Sequence, residues 1–214
     1  MSALKPENGL IFRITHIANV PWILDHGLHC RNSPGRDPNY VEIGNPELIE
    51  KRRYRAVPLP PGGVLSDYIA FYFTPHSPML LNIKTGHNGI TQRPMSEIVI
   101  MVSSLPALAA QKIPFVFTDR HAYLQTATQN FFSDLARLDR IAWDLLQNRD
   151  FKKDAYDPSK FERYQAEALV YRHLPVAALS GIICHGEAQK TALQAEIENR
   201  RQTLQVAVKP NWYF

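Results

Sequence analysis

Short apolar runs, rich in β-branched and aromatic residues, punctuate the chain and predict strands. LIFRI (10–14) is the first, followed by DYIAFYF (67–73), EIVIMVS (97–103), FVFT (115–118), GIICH (181–185) and LQVAV (204–208). In QAEALVY (165–171) the alternation is sharp. Glu167, Leu169 and Tyr171 point one way, and Ala168 and Val170 the other. A carboxylate at the head of such a run is either a solvated edge charge or a catalytic group.

Helical patterns fill the intervals. NVPWILDHGL (19–28) predicts a short helix with Asn19 as its cap, Pro21 near the first turn and Gly27 as its stop. NPELIEKRRYR (45–55) repeats the design: Asn45 as cap, Pro46 at the first helical position, acids early and bases late. SPMLLNI (77–83) predicts a helical turn capped by Ser77. VPLPPGG (57–63) is a loop. From about 119 to 150 the pattern turns helical, most clearly in FFSDLARLDRIAWDLL, and EAQKTALQAEIENRRQ (187–202) predicts a late helix. There is no repeat, low-complexity tract, linker or regular βαβ rhythm. The expectation is one α+β domain over residues 1–214 with a largely antiparallel sheet.

Composition narrows the class. The chain has 214 residues, 45% hydrophobic and 21% charged, which is ordinary for a globular protein. A net charge of +4 and a pI near 9.1 permit an anionic partner without requiring one. Cys30 and Cys184 do not make a disulfide framework. MSALKPENGL lacks the layout of a signal peptide, and no apolar run reaches the length of a membrane span. The chain is expected to be cytoplasmic and soluble, with no membrane association.

Three segments carry candidate chemistry. Lys51, Arg52, Arg53 and Arg55 form a basic cluster beside the PPGG loop. Such a cluster either holds phosphates, which arginine does bidentately, or is a solvated helix end. FYFTPHSPM (71–79) sets aromatics beside His76 and Met79; Phe71 and Phe73 read as core, while Tyr72 and His76 are open to stacking or contact with nucleobases. FTDRHAY (117–123) places Asp119, Arg120 and His121 just after a strand, where histidine serves as acid, base or orienting donor, or lies inert on the surface. HGLHC (26–30) has no second Cys/His pair at a structural zinc spacing, and the strand EIVIMVS lacks the Glu-x-Lys of a metal nuclease. Walker, GxGxxG and GxSxG motifs are absent. The residues alone therefore describe a basic α+β domain with an Arg–His–Glu set, aromatics nearby, and an anionic or nucleotide ligand.

Six motifs in order go further. ITHIANVPWILDHGL, KRRYRAVPLPPGG, DYIAFYFTPHSPML, PFVFTDRH, KFERYQAEALVY and the terminal WYF resemble the DarT family of bacterial DNA ADP-ribosylating toxins. The resemblance runs from about residue 10 to the last residue. It implies an ADP-ribosyltransferase fold with a split, strongly twisted β core ringed by helices. It implies NAD⁺ as co-substrate, no metal, and single-stranded DNA as acceptor, at a thymine ring nitrogen in a short sequence context. A DarG-like macrodomain antitoxin is the implied partner, and the chain is expected to be a monomer.

Position by position, the family glutamate falls on Glu167, the arginine of the basic helix on Arg52 and the histidine after FTDR on His121. These three are the expected catalytic residues. Arg13, Ile14, Thr15 and His16, with Trp22, Cys30 and Arg52, fall on the NAD-contacting stretches. Lys51, Arg53, Arg55, Tyr72, His76, Met79 and His121 are the expected DNA contacts. Residues 35–55 would close over NAD⁺, and residues 121–167 would span the acceptor-recognising loop. The rival readings are a non-catalytic nucleic-acid-binding module, a transferase acting on RNA or protein, and a metal-dependent nuclease, which chelators would block.

Overall fold

Two half-sheets meet at a single pair of residues, and the functional cleft opens where they part. The computed structural model describes residues 3–124 and 130–214. Its elements in chain order begin with β1 (Leu10–His16), α1 (Val20–His26), β2 (Leu28–His29), α2 (Pro46–Lys51), β3 (Tyr68–Tyr72), α3 (Pro78–Thr85), β4 (Ile98–Ser104) and α4 (Leu105–Ala110). They continue with β5 (Phe115–Thr118), β6 (Phe131–Phe132), α5 (Trp143–Asn148), α6 (Lys160–Tyr164), β7 (Glu167–Tyr171), β8 (His173–Leu174), β9 (Gly181–Cys184), α7 (Glu187–Asn199) and β10 (Val206–Val208).

The main sheet runs β10-β9-β4-β1-β3-β7-β5-β6, and β2 pairs with β8 apart from it. All pairings are antiparallel except that of β9 with β10. β1 lies along β4 for its whole length, from Leu10 opposite Ser104 to His16 opposite Ile98. β3 lies along β7 from Tyr68 opposite Tyr171 to Tyr72 opposite Glu167. Between the halves, β1 and β3 register only at Phe12 and Tyr72. This is the split core and the α+β class that the motifs implied.

The two faces of β7 explain why the sheet is stable. Ala168 and Val170 enter the large core with Phe12, Phe71, Phe73, Ile100 and Leu80. Leu169 enters a smaller cluster with Val57, Leu65, Tyr68 and Val116. A period-two strand buried on both faces keeps its register, because a one-residue slip would exchange these two sets. Tyr213 adds a tie: its hydroxyl lies 3.0 and 3.1 Å from the carbonyls of Ile98 and Ile183, bridging β4 and β9.

Two expectations change. Asn19 has helical backbone angles and caps nothing. Its amide instead donates to Thr15 Oγ1 and the Val41 carbonyl, and its carbonyl accepts from the Val41 amide. The stretch 119–150 is not one helix. Phe131–Phe132 joins the sheet edge, Leu135–Arg140 forms a 3-10 turn, and among the described residues of the stretch only Trp143–Asn148 is α-helical. Phe132 stacks on Phe117 across that pairing, a contact that outweighs local helix propensity. The part of this stretch at 125–129 lies outside the described residues. No helix among the described residues is long and apolar enough to cross a membrane.

Candidate active site

Glu167 heads β7 and is 3% exposed. A carboxylate is buried this far only when paired and hydrogen-bonded. Arg52 supplies the pair: its Nη1 donates to Oε1 at 3.2 Å, and Nη2 lies 2.9 Å from Oε2, off the hydrogen-bond direction. The Ala122 amide donates to Oε1 at 3.0 Å, and His121 Nδ1 stands 3.7 Å from the same oxygen. The Glu167 main chain is held too, its amide donating to Thr118 Oγ1 at 3.2 Å. Oε2 thus has spare lone pairs.

Local structure turns Arg52 inward. Asn45 caps α2 by accepting from the Leu48 amide, and Pro46 opens the helix. After Lys51 the chain tightens into a 3-10 turn over Arg52–Tyr54. Lys51 pairs with Glu47 one turn back, and Arg53 with Glu50 at 3.1 Å, both on the exposed side. Arg52 alone of the three reaches the carboxylate. The following loop is rigid at Gly63, whose φ of +80° suits glycine and whose Cβ, were there one, would lie 2.5 Å from Asp67 Oδ2.

Protonation follows from these contacts. Burial pushes the Glu167 carboxyl up, but Arg52, His121 and the two hydrogen bonds together hold it below the ordinary carboxylate value. It is ionised at neutral pH. Burial also depresses His121, more than the Glu167 charge raises it, and Arg52 adds to the depression. Because His121 Nδ1 accepts the Tyr123 amide at 3.2 Å, the neutral ring carries its proton on Nε2.

His29 and His76 are depressed as well, each chiefly by burial. The sign of the consequence is fixed. The unfolded chain binds protons near pH 6.5, before these folded histidines do, so stability is full above that value and falls as pH drops below it. Thermal unfolding at constant ionic strength should give a lower Tm at pH 5.5 than at pH 7.5. An unchanged Tm would contradict the three depressed histidines.

The Arg52–Glu167 pair floors a cleft that opens to solvent. Arg13 and Ile14 of β1, Tyr72 of β3, Cys30, Met79 and His121 line it. A strap between β2 and α2 forms another wall through Arg31, Arg36, Tyr40 and Glu42. The strap is tied down. Tyr40 Oη meets Thr15 Oγ1 at 3.0 Å and accepts from Arg13 Nη2 at 3.3 Å, while Asn19 holds Val41. Glu42 accepts from Arg31 at 2.9 Å and from Arg36 at 2.5 Å, and Arg36 stacks over Tyr40. Arg13 Nε is buried without a partner. Four guanidinium groups around one cleft suit a diphosphate. Burial raises the Cys30 thiol, so it meets a ligand as a neutral, weakly polar group.

Other expected residues lie elsewhere. Thr15 is fully buried and acts through Tyr40. His16 bonds Glu97 and accepts the Ala18 amide. Trp22 stacks on His26 with ring centroids 4.2 Å apart. Arg55 Nη2 donates to the Leu124 carbonyl at 2.7 Å, bracing the loop that holds His121. His76 is buried, its Nε2 is 2.9 Å from the Asn211 carbonyl, and its ring meets Phe214 edge-on, so it fastens the C-terminal segment. Lys51 and Arg53 are exposed beside the cleft.

Sequence reasoning marked the segment 35–55 without singling out Arg36, Tyr40 or Glu42 in it, and missed Arg31. The available signal was the length of the Pro- and Gly-bearing loop 30–45, since long loops without secondary structure usually carry function. Among the described residues no three His, Cys, Asp or Glu side chains gather as for a metal ion.

Comparison with known proteins agrees with this geometry. The family model described as "ssDNA thymidine ADP-ribosyltransferase, DarT" matches residues 12–214. A DNA ADP-ribosyl transferase of Escherichia coli O127:H6 is 51% identical over 213 residues, covering all of this chain and 97% of the relative. Two solved structures of Thermus sp. 2.9 DarT superpose over 98% of this chain. The complex with ADP-ribosylated ssDNA has a TM-score of 0.89 at 34% identity over 98% of that protein. The complex with NAD⁺ has a TM-score of 0.85 at 32% identity over 99% of it. The buried Arg–Glu pair, the split sheet and this match over nearly the whole length lead to one assignment: the chain belongs to the DarT family of single-stranded DNA thymidine ADP-ribosyltransferases.

Proposed function

We propose that Glu167, Arg52 and His121 divide the work of moving ADP-ribose from NAD⁺ to a thymine ring nitrogen in single-stranded DNA. The observation that carries this reading is the ionised Glu167 held against Arg52 at the floor of the cleft. NAD⁺ supplies a ribose whose bond to nicotinamide breaks with its electrons leaving on a neutral ring. Positive charge then develops on the sugar, and a fixed, desolvated carboxylate stabilises that charge.

The acceptor nitrogen must lose its proton as it bonds to the sugar. That proton grows acidic as the new bond forms, so a weak base suffices, and Glu167 Oε2 has the free lone pairs to take it. A guanidinium does not act as the base, because it stays protonated. Arg52 holds Glu167 in place, keeps it ionised and offers its planar fork to anionic oxygen. His121, with its proton on Nε2, is a donor to a thymine carbonyl. Arg13 and the strap arginines Arg31 and Arg36 hold the diphosphate, with Ile14 and Cys30 packing beside it. Thr15 supports the strap through Tyr40, and His16 ties the end of β1 to Glu97. Tyr72 and Met79 shape the space for the extruded base, and Lys51, Arg53 and Arg55 attract the strand's phosphates, which makes binding salt-sensitive.

In this reading the chain works in the cytoplasm as a single-domain monomer spanning residues 1–214. A macrodomain antitoxin that removes the modification is its partner in a toxin–antitoxin pair. The test is to incubate the protein with NAD⁺ and single-stranded oligonucleotides and weigh the DNA. A gain of one ADP-ribose that disappears when one thymine is replaced is the expected result. A gain that survives every thymine replacement would overturn the acceptor assignment.

A further inference from the structure

Tyr54 has no structural reason to be where it is. Among the described residues, Tyr54 at 77% and Tyr156 at 100% are the exposed large hydrophobic side chains. A single exposed aromatic needs no explanation by itself. The position of Tyr54 asks for one. It closes the 3-10 turn that begins at Arg52, so the same turn carries one side chain down to Glu167 and another out into solvent. The next residue, Arg55, reaches across to the Leu124 carbonyl, three residues beyond His121. Tyr54 is therefore held between two residues that reach the site, Arg52 and Arg55, without itself lining the cleft. Neither α2 nor this turn buries a residue, so the segment is a ledge rather than part of the core.

The charges on the ledge favour a polyanion. Lys51, Arg53 and Arg55 flank Tyr54 in sequence. Lys51 and Arg53 pair with Glu47 and Glu50 on the exposed side, surface pairs that a phosphate can replace. A solvated aromatic face between cations is how single strands are gripped without sequence readout: backbone to the bases, nucleobase to the ring.

Resting on the function proposed above, we infer that Tyr54 is a stacking platform for a nucleotide flanking the acceptor thymine. Drawing one base out of a stacked strand costs stacking on both sides. A protein ring that takes up the neighbouring base returns part of that stacking, so the strand is presented with its acceptor base turned into the cleft. Tyr54 acts here as a positioning residue and not on the reacting atoms.

The experiment measures steady-state modification of one thymine-containing oligonucleotide at saturating NAD⁺. Wild-type modification is confirmed first; its absence would indict the function, not the platform. Given wild-type activity, Tyr54→Ala and Tyr54→Leu should raise the KM for DNA roughly tenfold to a hundredfold, and Tyr54→Phe should stay near wild type. Oligonucleotides with an abasic site at each position beside the thymine locate the contact. At one position the lesion should weaken the wild type by about the same factor and leave Tyr54→Ala unaffected. The inference is overturned if Tyr54→Leu behaves as Tyr54→Phe does. It is equally overturned if no abasic position distinguishes wild type from Tyr54→Ala.

Discussion

Glu167→Gln should lower the rate of ADP-ribose transfer by roughly 10³-fold, the scale for removing a fixed electrostatic partner of a transition state. The protein should remain folded and bind DNA. The substitution keeps the shape and an acceptor oxygen for Arg52 and the Ala122 amide, so the contacts that hold the head of β7 persist in weaker form. What disappears, in the mechanism proposed above, is the negative charge facing the ribose and the base that takes the thymine proton. The stability cost should be about 2 kcal/mol, since hydrogen bonds to a charged group are exchanged for neutral ones. The measurements are single-turnover transfer and oligonucleotide binding by anisotropy. Transfer within tenfold of wild type would remove Glu167 from the catalytic role.

Arg52→Ala should be as damaging to activity and worse for the fold. It strips the cation from a carboxylate that burial alone would push up. Breaking a buried pair costs about 3 kcal/mol, or roughly 6 to 12 °C in Tm for a chain of this size. Glu167 should then titrate nearer neutrality, so the residual activity of Arg52→Ala should climb as pH rises, where wild type is flat. Arg52→Lys separates charge from shape: it restores ionisation of Glu167 without the planar fork. An intermediate rate with a flat pH profile is expected. Full activity in Arg52→Lys would show that the fork is dispensable, and a flat profile in Arg52→Ala would show that Arg52 does not hold Glu167 ionised.

Strands and caps were legible because they depend on neighbours in sequence. The alternation in EALVY and the Asn45–Pro46 start reappear in the structure at the same residues. What failed depended on distant partners. Asn19 has the side chain of a cap, yet its bonds go to Thr15 and Val41, and no local rule names Val41. His76 reads as an exposed base beside aromatics, but Asn211 and Phe214 come from the far end of the chain to bury it. Phe131 and Phe132 sit in a helical pattern and are taken by β5 instead. In the site, the resemblance placed Glu167, Arg52 and His121 together and the structure brings them within 4 Å contacts of one carboxylate. The strap arginines escaped because a polar loop shows no periodicity, and only their shared acceptor, Glu42, reveals them as a set.

The order of assembly follows from where β7 comes in the chain. β3 has β1 on one side and β7 on the other, and β7 is made 95 residues after β3 ends, counting from Tyr72 to Glu167. Arg52 and Glu167 are 115 residues apart. A chain still emerging from the ribosome, or one cut short before Glu167, therefore has the arginine ledge and a β3 without its β7 neighbour, and lacks the carboxylate that Arg52 pairs with. With the role proposed for Glu167, transfer activity arrives only with the last quarter of translation.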